Sequence, residues 1–167
     1  MKRYQYLVGT VVFLILSFWW ARPVAAKVTN VSCVMVSDRI DASLTRFESH
    51  KVNHLQHYQN LKEKLQNLIT SLEANGDEVT VLKSHHQVLD NRIVKFTSDY
   101  ATWIAQLELA KTYSCSPQPG RFKTALEQSR IYAKVVQADA LELRNYYQLE
   151  IRPTILAVKA QRPDQKN

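Results

Sequence analysis

Apolar residues recur along most of the chain in alternating steps of four and three, a spacing that places them on one face of an α-helix. The first stripe has ten positions, of which eight are apolar: Ile40, Leu44, Phe47, Lys51, His54, Tyr58, Leu61, Leu65, Leu68 and Leu72. A heptad repeat of this kind is typical of helices that pack as a coiled coil. The pattern predicts a long helix over about 38–74.

A second stripe follows Asn75-Gly76, which suits a helix C-terminus because glycine tolerates positive φ. Its members keep the same spacing: Val79, Leu82, His86, Leu89, Ile93, Phe96, Tyr100, Trp103, Leu107 and Ala110. The pattern predicts a helix over about 77–114. Because the connecting turn is so short, the two helices must run antiparallel, each roughly 55 Å long at about 1.5 Å per residue.

A third stripe begins after the proline-containing segment 116–120, with Phe122, Leu126, Ser129, Ala133, Val136, Ala140, Leu143 and Tyr147. Further apolar residues flank it and widen the apolar band: Ile131, Val135, Leu141, Leu149 and Ile151. A band of this width predicts a helix over about 120–160 that lies in the groove between the other two. Pro153 is expected to kink or end this helix near Ile151, unless Ile155 and Val158 continue its face.

These stripes predict an all-α fold, an elongated antiparallel three-helix bundle or coiled coil over residues 27–162 with a polar tail at 163–167. Residues 1–26 resemble a secretory signal, with two basic residues, a 16-residue apolar run and small residues before Lys27. The run is shorter than the roughly 20 residues that span a bilayer. A cleaved signal is therefore favoured over an uncleaved anchor, and both place the protein outside the cytoplasm: extracellular, periplasmic or attached to the outer side of the cytoplasmic membrane.

The chain has two cysteines, Cys33 and Cys115, and export would allow them to form a disulfide. Both lie about 40 residues from the predicted turn at 75–76. They are therefore expected to meet at the open end of the helical hairpin. Free or intermolecular thiols are the alternative.

Basic residues are concentrated in the last third of the chain. Without the signal segment, 19 basic residues face 15 acidic ones, and residues 120–167 hold 9 basic against 5 acidic. Those beside the third stripe are candidates for contact with an anionic envelope surface or an acidic partner: Lys123, Arg130, Lys134, Arg144 and Arg152. A solvated basic face is the simpler interpretation. A net charge of +4 is too small to indicate nucleic-acid binding.

Three histidines, His50, His54 and His57, share one face of the first predicted helix and are candidate ligands for a transition metal. The alternative is that they only border the seam. Lys51 and His54 are polar interruptions of the seam itself, which fix helix register or mark a hydrated or partner-binding stretch. Snorkelling of Lys51 to solvent is the simpler account.

The chain has no glycine-rich phosphate loop, nucleophile elbow or His-Glu-x-x-His motif. A rod of three helices is also expected to offer little concave volume for a small-molecule substrate. The sequence therefore predicts a protein that is not an enzyme and uses no cofactor.

Two stretches, VLKSHHQVLDNRIVKFTSDYATWIAQLELAKTYSC (81–115) and LELRNYYQLEIRP (141–153), resemble uncharacterised exported helical coiled-coil proteins of candidate phyla radiation bacteria. The resemblance spans about 40–159. It implies a secreted or surface-attached bundle and transfers no catalytic residue.

The functional hypothesis is an exported structural or interaction protein of the cell envelope or extracellular space, which presents a helical surface to a protein partner or to another copy of itself. The alternative is a small helical extracytoplasmic chaperone or metal-responsive binding protein, which would use an apolar groove or the histidine face.

Overall fold

The computed structural model describes residues 30–160, which contain long helices and no strand. The predicted signal segment at 1–26 and the polar tail at 163–167 lie outside the described residues. No helix within 30–160 combines the length and the apolar character needed to cross a bilayer.

The first two helices are α1, Asn30–Ala74, and α2, Thr80–Tyr113. A third rod follows without interruption: α3, Pro119–Tyr146, then a π-helical turn, Tyr147–Ile151, then α4, Arg152–Ala160. The α1 helix begins eight residues earlier than the apolar stripe predicts and contains 45 residues, which corresponds to roughly 68 Å at about 1.5 Å per residue. Its start lies on the open end of the hairpin, where Cys33 is buried.

The reversal between α1 and α2 occurs at Asn75-Gly76, as the sequence predicts. Gly76 has φ of 78°, and its N–H donates to the Glu73 carbonyl at 2.9 Å. The Asp77 N–H donates to the Leu72 carbonyl at 3.0 Å. These two bonds form a Schellman motif, which satisfies the last carbonyls of the helix and requires the left-handed conformation that glycine adopts without strain.

Two ion pairs and a disulfide, spaced along the hairpin, hold α1 antiparallel to α2. Lys62 Nζ donates to Asp90 Oδ1 at 2.6 Å, and nearer the open end Lys111 Nζ lies 2.6 Å from Asp41 Oδ1. At the open end itself, Cys33 and Cys115 form a disulfide with their Cα atoms 5.0 Å apart. The predicted pairing of the two cysteines is therefore confirmed.

Most seam positions form a continuous core. The buried members include Leu65, Leu72, Leu82, Leu89, Ile93, Phe96 and Tyr100. Phe96 forms the centre of an aromatic cluster, since its ring centroid lies 5.4 Å from Tyr58 and 5.6 Å from Tyr100. Aromatic pairs at these distances and steep angles stabilise the core beyond the area they bury.

The third rod packs antiparallel against α2 and completes the predicted three-helix bundle. It does not lie deep between the other two, because none of its Cα atoms comes within 8 Å of a Cα atom of α1. The expectation that its wide apolar band is buried in such a groove is therefore wrong for three flanking residues: Ile131, Leu141 and Leu149 are 55%, 57% and 69% exposed. Among the helices within residues 30–160, α2 alone packs closely against a neighbour on both sides.

The π turn explains how the third rod passes Pro153 without ending. Its buried face runs from Leu143 to Tyr147 and then to Ile151, two successive steps of four where the heptad requires a step of three. A π turn accommodates one extra residue, so that Ile151 stays on the buried face. The Arg152 N–H donates to the Tyr147 carbonyl, five residues back, and the next residue, Pro153, has no N–H to place.

His85 of α2 bridges the two sides of this π turn. Its Nδ1 lies 2.8 Å from Tyr146 Oη and its Nε2 lies 3.1 Å from Thr154 Oγ1. The Arg92 guanidinium lies over the Tyr146 ring, 4.7 Å from the ring centroid, in a cation–π contact. Burial raises the pKa of the Tyr146 hydroxyl. These contacts hold α3 and α4 on α2 where the helix changes register.

Candidate functional site

The polar interruption of the α1 seam lies beside an aromatic part of α2. Lys51 is half-buried, with its Nζ 3.4 Å from Glu48 Oε2 and 6.0 Å from the centre of the Tyr100 ring. Tyr100 Oη donates to the Phe47 carbonyl at 2.7 Å. His54, one step further, is exposed, and its ring lies 5.9 Å from that of Tyr58. The His54 ring also lies 6.1 Å from that of Phe96, so His54 packs on the aromatic cluster and stays exposed to solvent.

A groove opens between α1 and the third rod at this level, with a volume of about 680 Å³. We call it the α1/α3 groove; Leu89 of α2 contributes to its lining. Its walls come from α1 and from α3 with the π turn: His54, His57, Tyr58, Asn60, Leu61 and Lys64 on one side, and Ala140, Leu141, Leu143, Arg144, Tyr147 and Gln148 on the other. The expectation of little concave volume is wrong at this place.

The shape of the groove follows from the side chains on its two walls. The third rod presents Ala140 at a seam position, and α1 presents His54, whose polar ring stays exposed. Neither side chain fills the gap between two helices that both pack on α2. The lining is mainly apolar, which is typical of small-molecule sites of about 300–1,000 Å³.

The charge on this lining has one sign. Lys64 and Arg144 are its ionised residues, and no aspartate or glutamate lines it. Within residues 30–160 neither cation forms an ion pair. The α1/α3 groove is therefore an apolar cavity with unpaired positive charges on both walls.

No known protein family model, curated protein or solved structure matches the chain. The resemblance to exported helical proteins of candidate phyla radiation bacteria stays a prediction. The candidate site therefore rests on geometry and charge alone.

The three histidines of the proposed metal face are all exposed in the structure. His54 and His57 line the α1/α3 groove, and His50 does not. Among residues 30–160, no three histidine, cysteine, aspartate or glutamate side chains are arranged to hold a metal ion. The chemistry of His54 and His57 in this structure is that of groove-lining, aromatic-packed side chains.

The five basic residues singled out on the third rod are all exposed, but they do not act together: Lys123, Arg130, Lys134, Arg144 and Arg152. Arg144 belongs to the α1/α3 groove, and Lys123 lies 3.9 Å from Glu127. The other three border exposed apolar side chains. We define the outer face of the third rod by these neighbours, Arg130, Ile131, Lys134, Leu149, Arg152 and Leu156.

Sequence reasoning missed Lys64, Leu89 and Ala140 as site residues. In the sequence pattern Lys64 has no feature that distinguishes it from a solvent-exposed lysine, and Leu89 and Ala140 occupy ordinary apolar seam positions. The one signal for the groove was the polar His54 in the seam, which indicated a hydrated or partner-binding stretch.

A second polar cluster lies between α2 and α3. Asp139 of α3 is buried, with 5% of its surface exposed, and its carboxylate pairs with Lys95 Nζ. Lys95 Nζ also donates to Asp99 Oδ2 at 2.8 Å. Burial raises the pKa of the Asp139 carboxyl, whereas the hydrogen bond from Lys95 lowers the pKa of Asp99. The two carboxyls therefore titrate on opposite sides of their ordinary value.

Asp139→Asn is expected to change how stability depends on pH. The folded protein holds the Asp139 proton more tightly than the unfolded chain does, so this stabilisation is present below the ordinary value of 3.8 and is lost as pH rises through the raised pKa. Above pH 3.8, the free energy of unfolding of the wild type should therefore fall relative to that of Asp139→Asn. Urea unfolding of both proteins across this range measures the difference.

The exposed Asp38 on α1 provides a matched control, since Asp38→Asn makes the same side-chain change away from the contact between α2 and α3. Wild type and Asp139→Asn profiles that run parallel above pH 3.8, or that diverge in the opposite sense, would contradict the expected role of burial.

Proposed function

We propose that this chain is an exported, non-enzymatic interaction protein of the cell envelope or extracellular space, and that it binds an acidic protein partner through the outer face of the third rod. The observation that carries the proposal is the exposure of Ile131, Leu149 and Leu156, at 55%, 69% and 55%, on one helical rod. Leu149 and Leu156 lie about two helical turns apart with Arg152 between them, and an exposed apolar patch beside polar residues is typical of protein-binding surfaces.

The charge of the outer face supports an acidic partner. Arg130, Lys134 and Arg152 are exposed, and within residues 30–160 none of the three forms an ion pair. Unpaired cations around apolar anchors favour encounter with a surface of opposite charge and fix its orientation. The anchors supply the buried area, and the cations supply selectivity.

Export is supported by the signal-like pattern of residues 1–26 and by the disulfide between Cys33 and Cys115, a bond that persists mainly outside the reducing cytoplasm. Cleavage before Lys27 would leave both cysteines in the mature chain. N-terminal sequencing of the protein recovered from its native host locates the cleavage site.

A photo-crosslinking amino acid at Leu149 tests the outer face in native cells. We expect one stoichiometric protein partner to be captured from this position, and none from the exposed Asn67 on α1. Charge reversal by Lys134→Glu with Arg152→Glu should reduce capture at least tenfold, because unlike charges become like charges across the contact. Arg46→Glu, at an exposed cation on α1, serves as the matched control.

Three results would contradict this proposal. Equal capture from Leu149 and Asn67 would show no preference for the outer face. Attachment to anionic vesicles without a captured protein would make it a membrane-binding surface. Suppression of client aggregation by the purified protein, unaffected by Lys134→Glu with Arg152→Glu, would favour a chaperone.

A further inference from the structure

We propose that the α1/α3 groove binds a long-chain fatty acid, with the alkyl chain along its apolar lining and the carboxylate between Lys64 and Arg144. The proposal is independent of the outer face, which shares none of its defining residues with the groove. It depends on three observations: the size of the groove, its apolar lining, and the placement of two unpaired cations.

The two cations stand at nearly the same height along the bundle. Lys62 of α1 binds Asp90 of α2, and Glu142 of α3 pairs with Arg92 of α2. Because Asp90 and Arg92 are two residues apart, the levels of residues 62 and 142 along the bundle differ by about half a helical turn. Both α1 and α3 run antiparallel to α2, so they run parallel to each other. Lys64 and Arg144 therefore lie at about the same level on opposite walls of the groove, and Tyr147 and Gln148 extend the third-rod wall beyond Arg144.

An anionic headgroup fits between these two cations better than a neutral one. A carboxylate accepts charge-assisted hydrogen bonds from both ammonium and guanidinium groups, which are stronger than bonds between neutral groups. No acidic side chain of the groove lining competes for Lys64 or Arg144. The two positive charges also disfavour a cationic amphiphile.

The alkyl chain has an apolar path away from the cations. Leu89 and Leu143 lie near the level of the cations, and Leu61, Tyr58 and Ala140 continue the apolar lining away from them toward His57 and His54. Burial of methylene groups against such side chains supplies most of the affinity, and the volume of about 680 Å³ lies within the range of ligand sites. The charge selects the headgroup, and the lining selects the chain.

Isothermal titration of the full disulfide-bonded chain with tetradecanoate, below its critical micelle concentration, tests the proposal. We expect saturable binding at one site, with tetradecanol and acetate binding at least tenfold more weakly, because each lacks one of the two recognised parts. Amide chemical-shift changes should concentrate at Leu89 and Leu143.

Two substitutions test the headgroup contacts, and a third provides the control. Arg144→Met and Lys64→Met keep a long side chain and remove the charge, and each should weaken tetradecanoate binding about tenfold while leaving tetradecanol binding unchanged. Lys123→Met removes an exposed cation of the same helix outside both the groove and the outer face and should have no effect. The thermal midpoints of the three variants confirm that each folds.

The proposal is overturned by any of three results. Tetradecanoate that shows no saturable binding removes the site. Equal affinity for tetradecanoate and tetradecanol, unaffected by Arg144→Met, removes the headgroup assignment. An equal loss of tetradecanoate affinity with Lys123→Met would show that the effect comes from general surface charge.

Discussion

Replacing Cys33 and Cys115 together with alanine is expected to lower the free energy of unfolding by about 4.5 kcal/mol. The disulfide closes a loop with a sequence separation of 82 residues, and the chain-entropy treatment assigns about this value to a loop of that length. The bond also joins α1 to α2 at the end opposite the Asn75-Gly76 turn. Urea unfolding of the oxidised wild type and of the double alanine variant measures the loss.

Reductant separates the effect of the bond from that of the substituted side chains. It should destabilise the wild type by a similar amount and leave the double alanine variant unchanged. Hydrogen exchange of amides near Asp41 should accelerate more than that near Leu72, because only the open end loses its covalent tie. A loss below about 1 kcal/mol in the double variant would contradict the loop-closure account.

Two single-residue deletions in the third rod are expected to differ in their effect by about 3 kcal/mol. Gln137 lies in regular α-helix and Gln148 in the π turn, and both are exposed. Deleting Gln137 rotates the following residues by about 100° relative to those before it, which moves the buried Leu143 and Asp139 off α2. Deleting Gln148 removes the extra residue that the π turn accommodates and leaves a regular heptad.

The deletions are compared in a Pro153→Ala background, because a proline within a regular helix would itself cost about 3 kcal/mol. In that background the Gln148 deletion should stay within about 1 kcal/mol of its parent, whereas the Gln137 deletion should lose the burial of Leu143 and its neighbours. Denaturant unfolding gives both values. Equal losses for the two deletions would show that the π turn does not absorb an extra residue.

The apolar stripes predicted most of the core correctly. Every member of the α2 stripe is buried or half-buried, from Val79 to Ala110, and Asn75-Gly76 reverses the chain as expected. The Cys33–Cys115 pairing followed from the position of the turn alone. These features depend on local periodicity and turn chemistry, which a single sequence records directly.

The third rod was harder to place. A wide apolar band is consistent both with a helix seated between two others and with a helix that packs on one neighbour and leaves Ile131 and Leu149 exposed. Two successive steps of four, Leu143 to Tyr147 to Ile151, are consistent with the π turn, whereas Pro153 predicted a kink or a helix end. Periodicity states which face is apolar and leaves open which neighbour covers it.

The candidate site shows the same division. His54 and His57 were singled out from the sequence as metal-ligand candidates and Arg144 as part of a basic face, and the fold brings all three to one groove with Lys64 and Leu89. In the structure Asp139 of α3 pairs with Lys95 of α2. Pairings between helices depend on rotation about each axis, which heptad spacing does not specify.

The sequence by itself determined three helices, their seams, the reversal at Asn75-Gly76 and the meeting of the two cysteines, because each follows from contacts between near neighbours or from chain length. Only the tertiary structure decided that the third rod packs on α2 without closing onto α1. The physical reason is that an apolar stripe gains nearly the same free energy from any partner of matching shape, so that side-chain volume at positions such as Ala140 selects the arrangement and leaves the groove.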